Sequence, residues 1–405
     1  QQVNTLGLCI EWYMRLALGQ TDTPKPDIEK GYFDNENDPN DTYYQGVARR
    51  VLEQSERGAA LLDVPAEERN SVIGHEAAQF IMQDIKRTLA NLNIHFDVWF
   101  HEATLGATGE LQRGLDALRD TGYLFEKDGA VWMETTRFDD DKDRVVIKTD
   151  GTTTYIASDV AYVLNKLDRG FDKLIYVWGA DHHGYVGRLK ATPQMFGYPA
   201  EKVEVMIYQQ VSVKGSPMHK RLGNIVTLDQ LIDLVGADVT RFFYLMRDAN
   251  THLDFDLDLA MREGEENPGL SVQYGHARTA GVLRKAAEAG LKPEEEALSA
   301  EMSALLDDAP EQLAAELALM RELLRLEEVI ERIALSLEPH HLTKYGMDVA
   351  AAFHIFFDRC PILRAENERV RAARFGLLLA ARTVLARTLT LLGMSVPDRM
   401  ERTEG

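Results

Sequence analysis

Leu174-Ile175-Tyr176-Val177-Trp178-Gly179-Ala180-Asp181-His182-His183-Gly184 is the stretch on which the fold class turns. Five apolar residues in a row, closed by glycine and a polar cluster, read as a strand buried on both faces of a parallel sheet. A helical segment from about Tyr185 to Phe196 follows, then a second strand from Val203 to Tyr208. Together they form a βαβ unit with an expected right-handed crossover. In open α/β sheets ligands bind beyond the carboxyl ends of the strands. Gly179, Asp181 and His182 fall at that end and are expected to border a nucleotide. Adjacent histidines rarely share one ion and no further ligand spacing is present, so no metal is expected there.

Downstream, Val211 to Val213 reads as a short strand and Gly215-Ser216-Pro217 as a turn. The loop Met218-His219-Lys220-Arg221-Leu222-Gly223-Asn224 then carries two cations on glycine-containing backbone, which suits phosphate chemistry or a plain solvated turn. Thr227-Leu228-Asp229-Gln230 has the form of a capping box and opens a helix with Leu228, Leu231, Ile232 and Val235 on one face. Val239, Phe242, Phe243 and Met246 predict another helix after Gly236.

Upstream, Asp150-Gly151 turns the chain into a helix whose buried face is Val160, Val163, Leu164 and Leu167. Tyr155 and Asp159 stand four residues apart at its start, so a phenol and a carboxylate converge there. Asp159 either takes a ligand or complements the helix dipole. Earlier segments predict helices over 1–18, 43–62, 71–92 and 110–122. Strands are predicted at 96–100 and 145–147, with a hairpin around Asp128-Gly129. Ile73-Gly74-His75-Glu76 superficially resembles a nucleotide-binding His-Ile-Gly-His, but it lies inside a helix and is set aside.

From about Asn267 the pattern is helical, with candidate helices over 267–289, 297–305, 311–335, 339–359 and 367–392, punctuated by Pro268, Pro310, Pro339 and Pro361. That is a separate helical bundle. Arg371, Arg374 and Arg382 are spaced to share one face, either against a phosphate backbone or snorkelling on a solvated surface.

The 405 residues suffice for two or three domains. A net charge of −20 argues against bulk attraction to nucleic acid or anionic membrane, but screening leaves local basic surfaces free to act. No apolar run approaches the roughly 20 residues of a membrane span. Cys9 and Cys360 lack metal spacing, offer no disulfide framework and fit a reducing compartment.

Taken together, the motifs resemble a class I aminoacyl-tRNA synthetase of the arginyl type, over nearly the whole chain. The carriers are Asp150 to Tyr155 with Asp159, Trp178 to Tyr185, Gln273-Tyr274-Gly275-His276-Ala277-Arg278, Pro339-His340 with Tyr345, Ala352-Phe353-His354, Cys360-Pro361, and Leu391 to Met394 with Arg399-Met400. The loop at 217–224 is similar to the second class I signature, Lys-Met-Ser-Lys-Ser: Met218 and Lys220 match it, whereas Pro217, His219 and Arg221 depart from it.

The resemblance implies a Rossmann-like α/β catalytic domain over 1–264, with an insertion at about 45–148, and an all-α anticodon-binding bundle over 265–405. It implies that arginine and ATP form arginyl-adenylate, from which the amino acid passes to tRNA(Arg). ATP would come with Mg2+ as substrate, with no protein-held metal and no zinc. Lys220 would stabilise charge as pyrophosphate leaves; Met218, Arg221, Gly179, Asp181 and His182 would meet ATP. Tyr155 and Asp159 would hold the guanidinium, which a carboxylate grips by charge-assisted bonds. Tyr345 would stack an unpaired base or serve the core, and Arg371, Arg374 and Arg382 would hold tRNA phosphates. A cytoplasmic monomer is implied, with no membrane partner.

The first class I signature and the family's N-terminal tRNA-binding domain are not in the sequence, which reads as starting part-way through the catalytic domain. The chain alone is therefore expected not to make arginyl-adenylate. The alternatives are a non-catalytic tRNA-binding module derived by truncation, or another class I synthetase such as the cysteinyl enzyme.

Overall fold

The structure, a computed structural model, describes residues 2–35, 41–214, 226–292 and 297–400. Its chain divides into two units, Gln1–His95 with Gly215–Arg241, and Phe96–Lys214 with Phe242–Gly405.

The first unit is helical. Helices Gln2–Ala17, Tyr43–Gln54 and Ala66–Asn91 pack around Leu6, Ile10, Met14, Val51, Ile73 and Ala77. The first and third meet through glycine. A Cβ on Gly7 would lie 1.8 Å from the Asn70 carbonyl oxygen, and one on Gly74 would lie 2.0 Å from that of Val3. Ile73-Gly74 therefore serves this backbone approach, which explains the residues that imitate a nucleotide signature. The predicted helix 43–62 is split: it ends at Gln54, and a 3-10 turn, Gly58–Asp63, follows. Gly58 adopts φ 47°, a conformation that breaks regular helix. The capping box at Thr227 forms as expected, with Gln230 N–H donating to Thr227 Oγ1 at 3.2 Å and Thr227 N–H donating to Gln230 Oε1 at 2.9 Å.

The second unit carries all the strands among the described residues. Leu124–Lys127, Ala130–Met133 and Arg144–Ile147 form an antiparallel sheet, turned at Asp128 and Gly129 with φ 50° and 74°. That is the doubly left-handed turn an Asp-Gly pair favours. Leu174–Gly179 pairs in parallel with Val203–Tyr208, connected through a 3-10 turn, Ala180–Tyr185, and helix Val186–Met195. Val211–Lys214 pairs in parallel with Leu253–Asp256.

Two strand expectations need correction. Phe96 to Phe100 forms no strand: Phe96 and Val98 are more than half exposed, and Phe100 stacks on Tyr162 at 4.1 Å. Strand Leu174–Gly179 is not buried on both faces. Leu174 packs with Val163, Leu167, Leu189 and Val203, while Ile175 and Val177 on the other side are 47% and 61% exposed.

The bundle follows with helices Pro268–Glu288, Pro310–Leu324, Leu326–Ser336, His340–Arg359 and Glu368–Leu391. The expected single helix over 311–335 is interrupted at Arg325. Phe353, Phe356, Leu377 and Leu385 are fully enclosed in this part of the unit.

Candidate functional site

The site is built where the antiparallel sheet hands over to helix Tyr155–Asp168. Asp150 Oδ1 accepts from the Thr152 N–H at 2.9 Å and from Thr152 Oγ1 at 2.6 Å, while Gly151 takes φ 79°. This side chain-closed turn brings the chain back along the last strand, where Thr154 N–H donates to Val146 O and Thr154 Oγ1 to Val145 O. Thr154 is thereby held extended, and the helix starts at Tyr155, whose ring is 77% exposed. Asp159 follows one turn later on the same side.

Across from them, helix Val186–Met195 supplies Arg188. Its Nη2 lies 3.4 Å from Asp159 Oδ2, and its guanidinium carbon lies 3.8 Å from the centre of the Tyr185 ring. Trp178, His182 and Tyr185 continue as a row of rings with centroids 5.9 and 5.6 Å apart. Thr154, Tyr155, Ile156, Asp159, Trp178, His182, Tyr185 and Arg188 enclose a cavity of about 500 Å³. Removal from water pushes the Asp159 carboxyl above its ordinary range, with the Arg188 charge opposing. Two turns along the helix, Lys166 sits over the Tyr162 and Tyr176 rings at 3.9 and 4.1 Å, and burial brings its ammonium down to about 8. A cavity with one under-neutralised carboxylate, flat rings and a helical wall is suited to a planar organic cation.

Of the residues expected at a site, Tyr155, Asp159 and His182 come together. Gly179 ends the strand and Asp181 follows it, exposed and outside the cavity lining. Met218, Lys220 and Arg221 lie outside the described residues.

The expected tRNA contacts divide. Tyr345 is 1% exposed and its hydroxyl donates to the Glu322 carbonyl at 3.0 Å, so it offers no face to a base. Arg374 is equally a core group. Its Nε donates to Glu316 Oε1 at 2.7 Å, its Nη2 to Asp308 Oδ2 at 2.8 Å and Gln312 Oε1 at 3.1 Å, and its Nη1 to Pro361 O at 3.0 Å. For Arg374 the phosphate-facing expectation is corrected, and of the two alternatives for Tyr345 the structure takes the core one: buried partners already consume these polar groups. Arg371 pairs with Glu368 and Arg382 with Asp398, each at 3.1 Å and partly exposed.

A second cavity of about 500 Å³ was not singled out from the sequence. Gly264, Glu265, Tyr274, Ala277, Arg278, Arg284, Arg399 and Met400 line it. The signal was the i, i+4 spacing of Tyr274 and Arg278, but their convergence with Arg284 and Arg399 is a tertiary event. Arg278 bonds His354 Nδ1 at 2.8 Å and pairs with Glu265. Glu338, His340 and His341 bring ligand atoms within 4.8 Å of one another. His341 Nε2 and Glu338 Oε2 already satisfy each other at 3.0 Å.

Residues 45–253 match the family described as tRNA synthetases class I (R), catalytic domain, and residues 272–400 match the DALR anticodon binding domain. The arginine–tRNA ligase of Bacillus pumilus is 39% identical over 403 residues, 98% of this chain and 69% of that protein. The chain belongs to the arginine–tRNA ligase family. The Heliobacterium modesticaldum ligase is 41% identical over 351 residues, 85% of this chain and 62% of that protein. Among solved structures, the putative arginyl-tRNA synthetase from Campylobacter jejuni is similar with a TM-score of 0.81 at 26% identity, covering 98% of this chain and 82% of that one. The Thermus thermophilus arginyl-tRNA synthetase shares the fold, with a TM-score of 0.70 at 21% identity over 97% of this chain and 74% of that one. The family's catalytic domain followed by a helical anticodon-binding domain is the architecture expected from the sequence. Among the described residues no helix is long and apolar enough to cross a membrane.

Proposed function

We propose that this chain serves ATP-dependent attachment of arginine to tRNA(Arg) through arginyl-adenylate by holding the arginine. Arginine-dependent ATP–pyrophosphate exchange with cognate tRNA, expected to be absent for the chain alone, tests its share in the adenylate step. The carrying observation is Asp159, a half-exposed carboxylate one helical turn from Tyr155, at the wall of a ring-lined cavity in a chain of this family. Asp159 receives the substrate guanidinium through charge-assisted hydrogen bonds and Tyr155 packs beside it. His182, Gly179 and Asp181 border the amino acid and ATP at the strand's carboxyl end.

Neither chemical step needs an enzyme nucleophile. The arginine carboxylate attacks the α-phosphate, pyrophosphate leaves, and a tRNA ribose hydroxyl then displaces AMP. Rate comes from positioning and from charge neutralisation. Met218, Lys220 and Arg221 contact the phosphates, with Mg2+ carried by ATP and no zinc. Lys220 takes charge developing on the leaving pyrophosphate, a contact whose loss costs on the order of 10²- to 10³-fold in rate. For tRNA, Arg371 and Arg382 hold phosphates, and the cavity at Tyr274, Arg278, Arg284 and Arg399 gives the bundle an aromatic and cationic pocket for an unpaired base. The protein works as a cytoplasmic monomer.

Transfer of labelled arginine to a tRNA preparation with ATP, by an intact enzyme that carries these residues, tests the proposal. The Asp159→Asn variant is expected to lose at least ~100-fold in kcat/KM for arginine, since the charge-assisted pair with the substrate guanidinium is removed. Equal arginylation by the variant would overturn the guanidinium assignment.

A further inference from the structure

Arg188 presents to Asp159 the same chemical group that the substrate would bring. Its guanidinium is only 16% exposed, stands on the Tyr185 ring, and reaches Asp159 Oδ2 through one contact of 3.4 Å, at the long limit of a hydrogen bond. Among the described residues no other guanidinium pairs with Asp159. Gly187 fixes the approach: a Cβ there would lie 2.6 Å from Asp140 Oδ1, and Asp140 is locked to Arg144 at 2.8 Å. Arg188 is therefore delivered to the cavity by a constrained backbone, while its contact with the carboxylate is loose.

The geometry points to Arg188 as a built-in competitor for the guanidinium site, holding Asp159 in the unliganded protein and giving it up when arginine enters. The inference rests on the reading of Asp159 as the guanidinium acceptor. One carboxylate cannot fully neutralise two guanidinium ions, so arginine and Arg188 compete for it. Tyr185 makes release feasible, because the displaced side chain keeps its cation–π contact while leaving the carboxylate. The remaining nearby charges are Lys166, which adds to the positive side, and Glu102, which opposes it. Arginine affinity is then reduced by the fraction of molecules in which Arg188 occupies Asp159.

The opposite role is equally concrete: Arg188 would orient Asp159 for the substrate, and removing it would weaken binding. The two differ in sign, so calorimetric titration separates them. The titrants are L-arginine, agmatine and uncharged L-citrulline, against the wild-type chain, Arg188→Gln, Arg188→Lys and Asp159→Asn. If Arg188 occupies Asp159 about nine-tenths of the time, Arg188→Gln tightens arginine about tenfold. Agmatine tightens by the same factor, because one occupied state is being removed for both. Arg188→Lys, which keeps charge but loses the planar stack, falls between, and guards against a folding failure of the glutamine variant. Citrulline stays weak throughout. If Asp159→Asn abolishes arginine binding while Arg188→Gln binds it no tighter than wild type, the site reading stands and the competitor role is overturned. If Asp159→Asn binds arginine normally, or no variant binds arginine, the site reading itself fails.

Discussion

Two arginine–carboxylate contacts in the second unit look alike in chemistry and differ in every physical respect that matters. Arg374 is 2% exposed and makes four hydrogen bonds between 2.7 and 3.1 Å, one to the fully enclosed Glu316 and one to the partly buried Asp308. Arg188 makes one at 3.4 Å to an acid that is half in solvent. The first has little slack, since all three of its nitrogens donate and Glu316 would be left buried without its cation. The second can be exchanged for a ligand at little structural cost. Burial and partner number, rather than the presence of an ion pair, separate a structural cation from a functional one.

The contrast is tested most severely at Arg374. Arg374→Met leaves Glu316 buried and Asp308 partly buried without their cation and is expected to destabilise by about 3–5 kcal/mol in chemical denaturation. The same measurement on Arg188→Gln should move by about 1 kcal/mol, the loss of its cation–π contact with Tyr185. Equal losses would erase the distinction. Glu316 also sets a sign in pH: desolvation holds its carboxyl above the ordinary range even beside Arg374. A folded-state pKa above the unfolded one contributes stability in acid that is lost as pH rises through the folded value. In Arg374→Met that loss should steepen, seen as denaturation midpoints that fall from mildly acidic to neutral pH.

A smaller effect is expected at Tyr345. Tyr345→Phe removes the hydroxyl bond to Glu322 and should cost about 1 kcal/mol of stability while leaving tRNA affinity unchanged. A selective loss of tRNA binding would return the residue to the interface. Smallest in stability is Arg382→Gln, whose partner Asp398 is 61% exposed; the expected change is within about 0.5 kcal/mol. If Arg382 meets a phosphate, the salt dependence of tRNA binding should instead flatten by about one unit of slope.

The legible features were the local ones. The capping box at Thr227, the turn at Asp128-Gly129 and the βαβ unit from Leu174 to Tyr208 each depend on neighbours in sequence or on one periodicity. Tyr155 and Asp159 were legible because one helical turn joins them. What failed depended on distant partners. Arg374 lies 58 residues from Glu316, and nothing around Arg374 distinguishes it from Arg382. Tyr345 fits a bundle core and a base platform equally until its neighbours are known. Phe96 to Phe100 has a strand's alternation, but alternation cannot provide a hydrogen-bonding neighbour. Arg188 drew no notice because its carboxylate is 29 residues upstream, on another helix.

The reciprocal glycine contact in the first unit has a mechanical reading. At Gly7 and Gly74 the obstacle to an added Cβ is a carbonyl oxygen on the facing main chain, which has no rotamer to swing away. Neither helix can roll about its axis without driving its own side chains into the other's backbone. Helices Gln2–Ala17 and Ala66–Asn91 therefore behave as one strut, stiff against sliding and twisting.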